Sequence, residues 1–332
     1  MEKGLKLALL ALCLTGCAAA PQKGRTVRLA IGGAAQMVYL PTTLAAQLGF
    51  YQNEGLDVQF QDYQGGAKAL QSLLGGSADV VSGFYEHTVQ MAAEGQPLQA
   101  FIVMVRHPGL VLVVSPAARH RIRRIEDLAG AKVGVTAPGS ATHFFLNYLL
   151  TKHQVPLPSV SVIGVGHSGS ALAAMESGNV DAAIMTDPGV SQLLRRNGPL
   201  PLLSDTRSAN GVHAEFDTAA VPASVLYARR EWLAQNPDTA QRLTRAMRRT
   251  LTWIEEHDSK AIAAKMPAEF RGSDPTLYET ALTASLPIFA KGGPMPLAGA
   301  QAVERILRIS LPKLRDAKID LSTTYTDRFL VP

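Results

Sequence analysis

Short apolar runs alternate with amphipathic stretches from Val27 onward, and nearly every switch between them carries Gly, Pro or Asp. Compact apolar runs bounded by turn residues signal strands, whereas apolar positions three and four apart signal helices. The first third therefore predicts strands over 27–31, 56–60, 80–82 and 99–105, with helices over 42–48, 67–74 and 85–93. A second series predicts strands near 132–135, 160–165, 181–185 and 200–203, with helices starting near Ser140, Ser168 and Pro188. Parallel strands joined by right-handed helical crossovers make open sheets, so the pattern predicts an α/β chain with two of them.

Two runs break the alternation: Leu110-Val111-Leu112-Val113-Val114 and Ala223-Ser224-Val225-Leu226-Tyr227-Ala228. Both are apolar enough to pass through a core, and they are expected to be the connections by which the chain enters a second lobe and returns to the first. From Arg229 the spacing turns helical. Asn236-Pro237-Asp238 opens a long segment reaching His257, with Leu243, Met247, Leu251 and Ile254 on one face. These helices are expected to cover the outside of the first lobe. The expected organisation is a first lobe over 26–113 and again over 219–332, with a second lobe over 114–218 between them. A length of 332 residues, more than one core usually supports, points the same way.

The start of the chain bears on where the protein resides. Lys3 and Lys6 form a positive region, and Leu5 through Leu14 form an apolar run too short to span a bilayer. This predicts a signal peptide over 1–16. It ends in Leu14-Thr15-Gly16-Cys17, which resembles a bacterial lipobox and implies a lipid anchor on Cys17. The only two cysteines are Cys13 and Cys17, so the body of the chain has none for a disulfide. Residues 17–25 lack an apolar period and read as a tether.

Composition adds exclusions. The net charge is +5, but the basic residues are dispersed, and no nucleic-acid partner is expected. The eight His are scattered without a metal-binding motif, so no metal and no cofactor are expected.

Candidate chemistry concentrates at two helix starts, Gly65-Gly66-Ala67-Lys68 and Pro138-Gly139-Ser140-Ala141-Thr142, one in each expected lobe. Free backbone N–H groups and the positive end of a helix dipole attract an anion, and small residues let it approach. Two such ends facing one cleft would form an anion clamp; singly, each also reads as a plain cap or turn. Gln36 and Tyr39 after the first strand, Tyr85 and His87 after the third, and Thr142, His143 and Asp187 in the second series are the further candidates to line a ligand. Tyr85-Glu86-His87 leaves Glu86 with two readings, an amino-group partner or an orienting group for His87. Asp187 before Pro188 also reads as a helix cap.

Tyr39-Leu40-Pro41, the stretch from Leu48-Gly49-Phe50 to Gly55-Leu56-Asp57-Val58, Gly65-Gly66-Ala67-Lys68-Ala69-Leu70, Gly76-Ser77-Ala78-Asp79-Val80 and Asp181-Ala182-Ala183 resemble the nitrate/sulfonate/taurine-type periplasmic binding proteins. The resemblance covers nearly the whole chain after Cys17. It implies a type II periplasmic-binding fold, two α/β lobes closing on a two-crossover hinge. It also implies a solute-binding receptor, not an enzyme, that captures a small anionic solute such as a sulfonate, nitrate or carboxylate and works as a monomer with an ABC permease and ATPase. The alternatives are a solute-sensing lipoprotein and an enzyme on the same scaffold, of the thiamine-pyrimidine-synthase kind, whose cysteine-rich iron motif this chain lacks.

Gly164-Val165-Gly166-His167-Ser168-Gly169 matches the dinucleotide pattern G-x-G-x-x-G. It lies midway along a chain expected to be exported, away from dinucleotide pools, and is read as a tight turn.

Overall fold

The computed structural model describes residues 24–330; the expected signal peptide, Cys17 and nearly all of the tether lie outside the described residues. Ten strands among the described residues form two five-stranded sheets. In the first sheet the order is β2 (Leu56–Asp62), β1 (Arg25–Ile31), β3 (Val80–Phe84), β10 (Ser224–Arg229) and β4 (Leu98–Val103). The second repeats it as β7 (Ser161–Gly164), β6 (Lys132–Val135), β8 (Ala182–Met185), β5 (Val111–Val114) and β9 (Leu202–Asp205). In each sheet the first three positions are parallel, and an antiparallel strand follows, β10 in one and β5 in the other. Helices pack on both sheets, which gives the two-lobed α/β architecture.

The two all-apolar runs correct the expected boundaries. The strand Val111–Val114 is no connection: it pairs along its length with β8 and with β9 in the second sheet. Leu112 and Val114 belong to one buried cluster and Val111 and Val113 to another. A run apolar at every position is thus a central strand covered on both faces. The second lobe begins before Val111, not at residue 114. Ser224–Arg229 likewise pairs within the first sheet, between β3 and β4. The true crossings are the segments 104–110 and 206–223, which run side by side. Ala223 N donates to Val105 O at 2.8 Å, Val221 N to Arg106 O at 3.0 Å, and Thr206 N to Leu110 O at 3.0 Å.

The helix Pro237–Glu256 buries Leu243, Met247, Leu251 and Ile254 on one face, as its spacing predicts, against the helices Leu40–Gln47 and Phe50–Asn53 of the first lobe. Each such burial contributes roughly 1.5–3 kcal/mol. The last long helix, Leu297–Ser310, does something else. It packs against both Glu86–Ala93 of the first lobe and Ala141–Lys152 of the second, so the C-terminal helices are not confined to the first lobe.

Candidate functional site

Both sheets direct the carboxyl ends of their parallel strands toward the gap between the lobes, where α/β folds bind ligands. The helix Gly66–Leu74 begins there after β2, and the helix Ala141–Lys152 begins there after β6. Gly65 holds φ at +124°, and a Cβ on it would lie 3.1 Å from both Ala137 Cβ and Ser140 Oγ. Only glycine permits that backbone and that approach. Ser140 does not cap its own helix. Its Oγ instead accepts a hydrogen bond from Ala67 N at 2.9 Å, so the side chain at one helix start satisfies a free amide of the other. The two starts converge across the lobes.

Further bonds close the same gap. His87 Nε2 lies 3.2 Å from the Gly139 carbonyl oxygen. A carbonyl only accepts, so Nε2 carries the ring proton and Nδ1 is left to accept from the Tyr227 hydroxyl at 3.4 Å. Burial lowers the His87 pKa to about 4, which keeps the ring neutral. Thr186 Oγ1 donates to Gln36 Oε1 at 2.8 Å, while Gln36 Nε2 donates to Gly32 O at 2.8 Å. Met37 N donates to Asp187 O at 2.9 Å.

Between these bonds lies a hollow of about 10 Å³ lined by Gln36, Tyr39, Gly66 and His87 from the first lobe and by Thr136, Ser140, Thr142 and Thr186 from the second. That volume is at the limit for a single water, roughly 10–15 Å³. The lobes are therefore closed on one another, and any larger solute requires them to part. No Lys or Arg lines the hollow; the positive potential it offers comes from the two helix starts.

Six of the candidates thus meet: Gln36, Tyr39, Gly66, His87, Ser140 and Thr142. Gly65 and Ala67 supply the backbone beside them. Three are turned elsewhere. The Tyr85 hydroxyl bonds Thr324 Oγ1 at 2.6 Å within the first lobe. His143 Nδ1 accepts from Gly139 N at 3.0 Å and its ring stacks on Phe144. The Asp187 carboxylate pairs with Arg207 at 2.9 Å and caps the following helix through Ser191 N at 3.0 Å. Among the described residues no cluster of His, Cys, Asp or Glu could hold a metal. None of their helices is long and apolar enough to cross a membrane.

The family model described as NMT1/THI5 like matches residues 36–261, more than half of the chain and nearly all of this site. The chain belongs to the NMT1/THI5-like family. It is 26% identical over 249 residues to a candidate binding protein, YtlA of Bacillus subtilis (strain 168), covering 74% of this chain and 71% of that one. A solved structure from Bordetella bronchiseptica RB50 is 38% identical, covering 93% of this chain and 96% of its own, with a TM-score of 0.88. The alkanesulfonate-binding protein SsuA from Xanthomonas axonopodis pv. citri, bound to MOPS, shares the fold at 17% identity and a TM-score of 0.72, over 92% of this chain and 99% of its own.

This NMT1/THI5-like chain also carries cleft residues that the sequence reading does not single out. Thr136 and Thr186 directly follow β6 and β8, and their place at the strand ends is the signal that would find them. Beside the hollow, sharing Phe84, Leu110 and Ala141 with it, lies an apolar chamber of about 40 Å³ that also contains Glu86, Phe144, Phe145 and Phe216. The glycine-rich turn faces the first lobe: a Cβ on Gly33 would lie 2.7 Å from His167 Cδ2, and one on Gly166 would lie 2.7 Å from Gln64 Oε1. Its glycine allows a close approach of the lobes.

Proposed function

We propose that this chain is the solute-binding receptor of an ABC importer, exported and held at a membrane through a lipid on Cys17, which closes over a small solute and presents the joined lobes to a permease and its ATPase. The observation that carries the reading is the Ala67 N to Ser140 Oγ bond. A serine oxygen from one lobe occupies the place on the other lobe's helix start where an acidic oxygen of a solute would bind. Binding drives closure only through contacts that exist in the closed state, and two helix starts converging across the lobes would supply them to a solute oxygen that displaces the Ser140 hydroxyl. Gln36, Tyr39, His87, Thr142 and Thr186 would then select among solutes by shape and hydrogen bonding.

A thermal-shift panel of sulfonates, nitrate, carboxylates and pyrimidines tests it, because a cleft ligand raises apparent stability by mass action. Ser140→Asp places a carboxylate against the Gly66 helix start and is expected to weaken an anionic hit more than tenfold by calorimetry. Equal affinity in that variant would remove the helix starts from the binding reaction.

A further inference from the structure

The chamber next to the hollow is built of phenylalanines and aliphatic side chains, yet it contains one carboxyl. Glu86 is the first residue of the helix Glu86–Ala93, is 8% exposed, and its Oε1 has no hydrogen-bond partner. No Lys or Arg lines the chamber, so no cation of the protein answers it there. An unpaired acid in an apolar wall costs stability and persists where a site requires it. Its neighbours are fixed in other roles. His87 is bound to Gly139, and Tyr85 to Thr324.

Resting on the reading of this cleft as a solute receptor, we propose that Glu86 receives the nitrogen end of an amphoteric solute. Such a molecule places an acidic oxygen group at the Gly66 and Ser140 helix starts, a compact apolar body among Phe84, Phe144 and Phe216, and an amine, amidine or amino-heterocycle N–H on Glu86 Oε1. The two hollows adjoin, so one solute reaches both poles. A simple inorganic oxyanion uses only one of them and leaves the acid unpaired.

The electrostatics agree with the geometry. Burial, partly offset by its own backbone amide, pushes the Glu86 pKa up to about 8, so the chamber without a cation favours the protonated acid near neutrality. A cation must displace that proton, and its affinity therefore rises with pH until the acid ionises unaided. The titratable groups facing Glu86 do not obscure this. The phenols of Tyr39 and Tyr227 are raised by burial, and His87 is lowered to about 4. On the adjoining helices, His143 is lowered by burial, and Glu304 is paired with Arg308 at 2.7 Å.

Calorimetry on the purified protein with matched probes tests the assignment: 4-(aminomethyl)benzoate against 4-methylbenzoate, and 3-aminopropanesulfonate against propanesulfonate, at pH 6 and pH 8. The amino member of at least one pair is expected to bind tenfold or more tightly than its partner, with a ratio that grows from pH 6 to pH 8. Glu86→Gln should erase the pH dependence and most of the ratio. Equal binding within both pairs overturns the role of Glu86 and leaves solute capture standing. A ratio unchanged in Glu86→Gln does the same. Silence from all four probes overturns the amphoteric class, and solute capture falls with it only if the wider panel of anions and pyrimidines is silent too. Should Glu86→Gln not fold, the pair ratio and its pH dependence in the unaltered protein decide alone.

Discussion

The hydroxyl of Ser140 and the amide of Ala67, 2.9 Å apart, join two helix starts that belong to different lobes. The bond exists only when the lobes are together, and it uses the same donor that a solute oxygen would seek. Removing it should loosen the solute-free closed state without removing the donor. Ser140→Ala is expected to shift the open-to-closed balance by about 1 kcal/mol, roughly fivefold. Small-angle scattering should show a larger radius of gyration for the ligand-free variant; an unchanged radius would mean that the bond does not hold the lobes.

Gly65 carries two constraints at once, a φ of +124° and the approach of Ala137 and Ser140 from the other lobe. Gly65→Ala should cost about 1–3 kcal/mol in backbone strain and obstruct closure. Solute affinity is expected to drop tenfold or more in calorimetry, with the far-ultraviolet dichroism spectrum retained. Unaltered affinity would place the binding reaction away from this turn.

The Asp187–Arg207 pair ties the second lobe to the returning crossing, with the Asp187 side chain 1% exposed. Its removal tests a structural role rather than recognition. Breaking a buried pair typically costs 3–5 kcal/mol, and Arg207 keeps Asp205 at 2.6 Å, so Asp187→Asn should lose about 3 kcal/mol in urea unfolding. Binding by the folded fraction should persist. Wild-type stability with abolished binding would make Asp187 a ligand contact.

His107 lies in the first crossing between the lobes, is 2% exposed, and neither of its ring nitrogens has a hydrogen-bond partner. Burial, reinforced by the Arg106 charge, lowers its pKa from about 6.5 to about 4. The unfolded chain therefore takes up a proton that the folded protein refuses. That contribution to stability is present above pH 6.5 and is lost as the pH falls toward 4. His107→Leu should raise the melting temperature more at pH 5 than at pH 7.5. His87, lowered in the same way, remains to destabilise the variant in acid. An equal effect at both pH values would show that His107 does not titrate on unfolding.

The convergence of the helix starts at Gly66 and Ser140 is legible in the sequence, because it depends only on where strands end and helices begin. Backbone amides need no rotamer. Side chains at the same strand ends are harder to place. Tyr85, Glu86 and His87 are consecutive at a helix start, where each step turns the side chain by about 100°. Tyr85 turns to Thr324 while Glu86 and His87 enter the cleft. Nothing local distinguishes them, since Thr324 lies far along the chain. The run at Val111–Val114 fails for a related reason. Uniform hydrophobicity reports that both faces are covered, and whether a strand or a passing connection is covered depends on its neighbours. The amphipathic spacing of Leu297–Ser310 identifies a helix, but its two partners lie in different lobes.

The order in which the chain supplies the sheets has a consequence for its assembly. Residues for the second sheet, Val111 through Asp205, form one uninterrupted stretch, whereas the first sheet waits for β10 to insert between β3 and β4. During synthesis the earlier-made strands stay incomplete, with the place between β3 and β4 unfilled, until everything between has been translated. Pairing over so long a separation is slow, so the second sheet has all its strands while the first still lacks one.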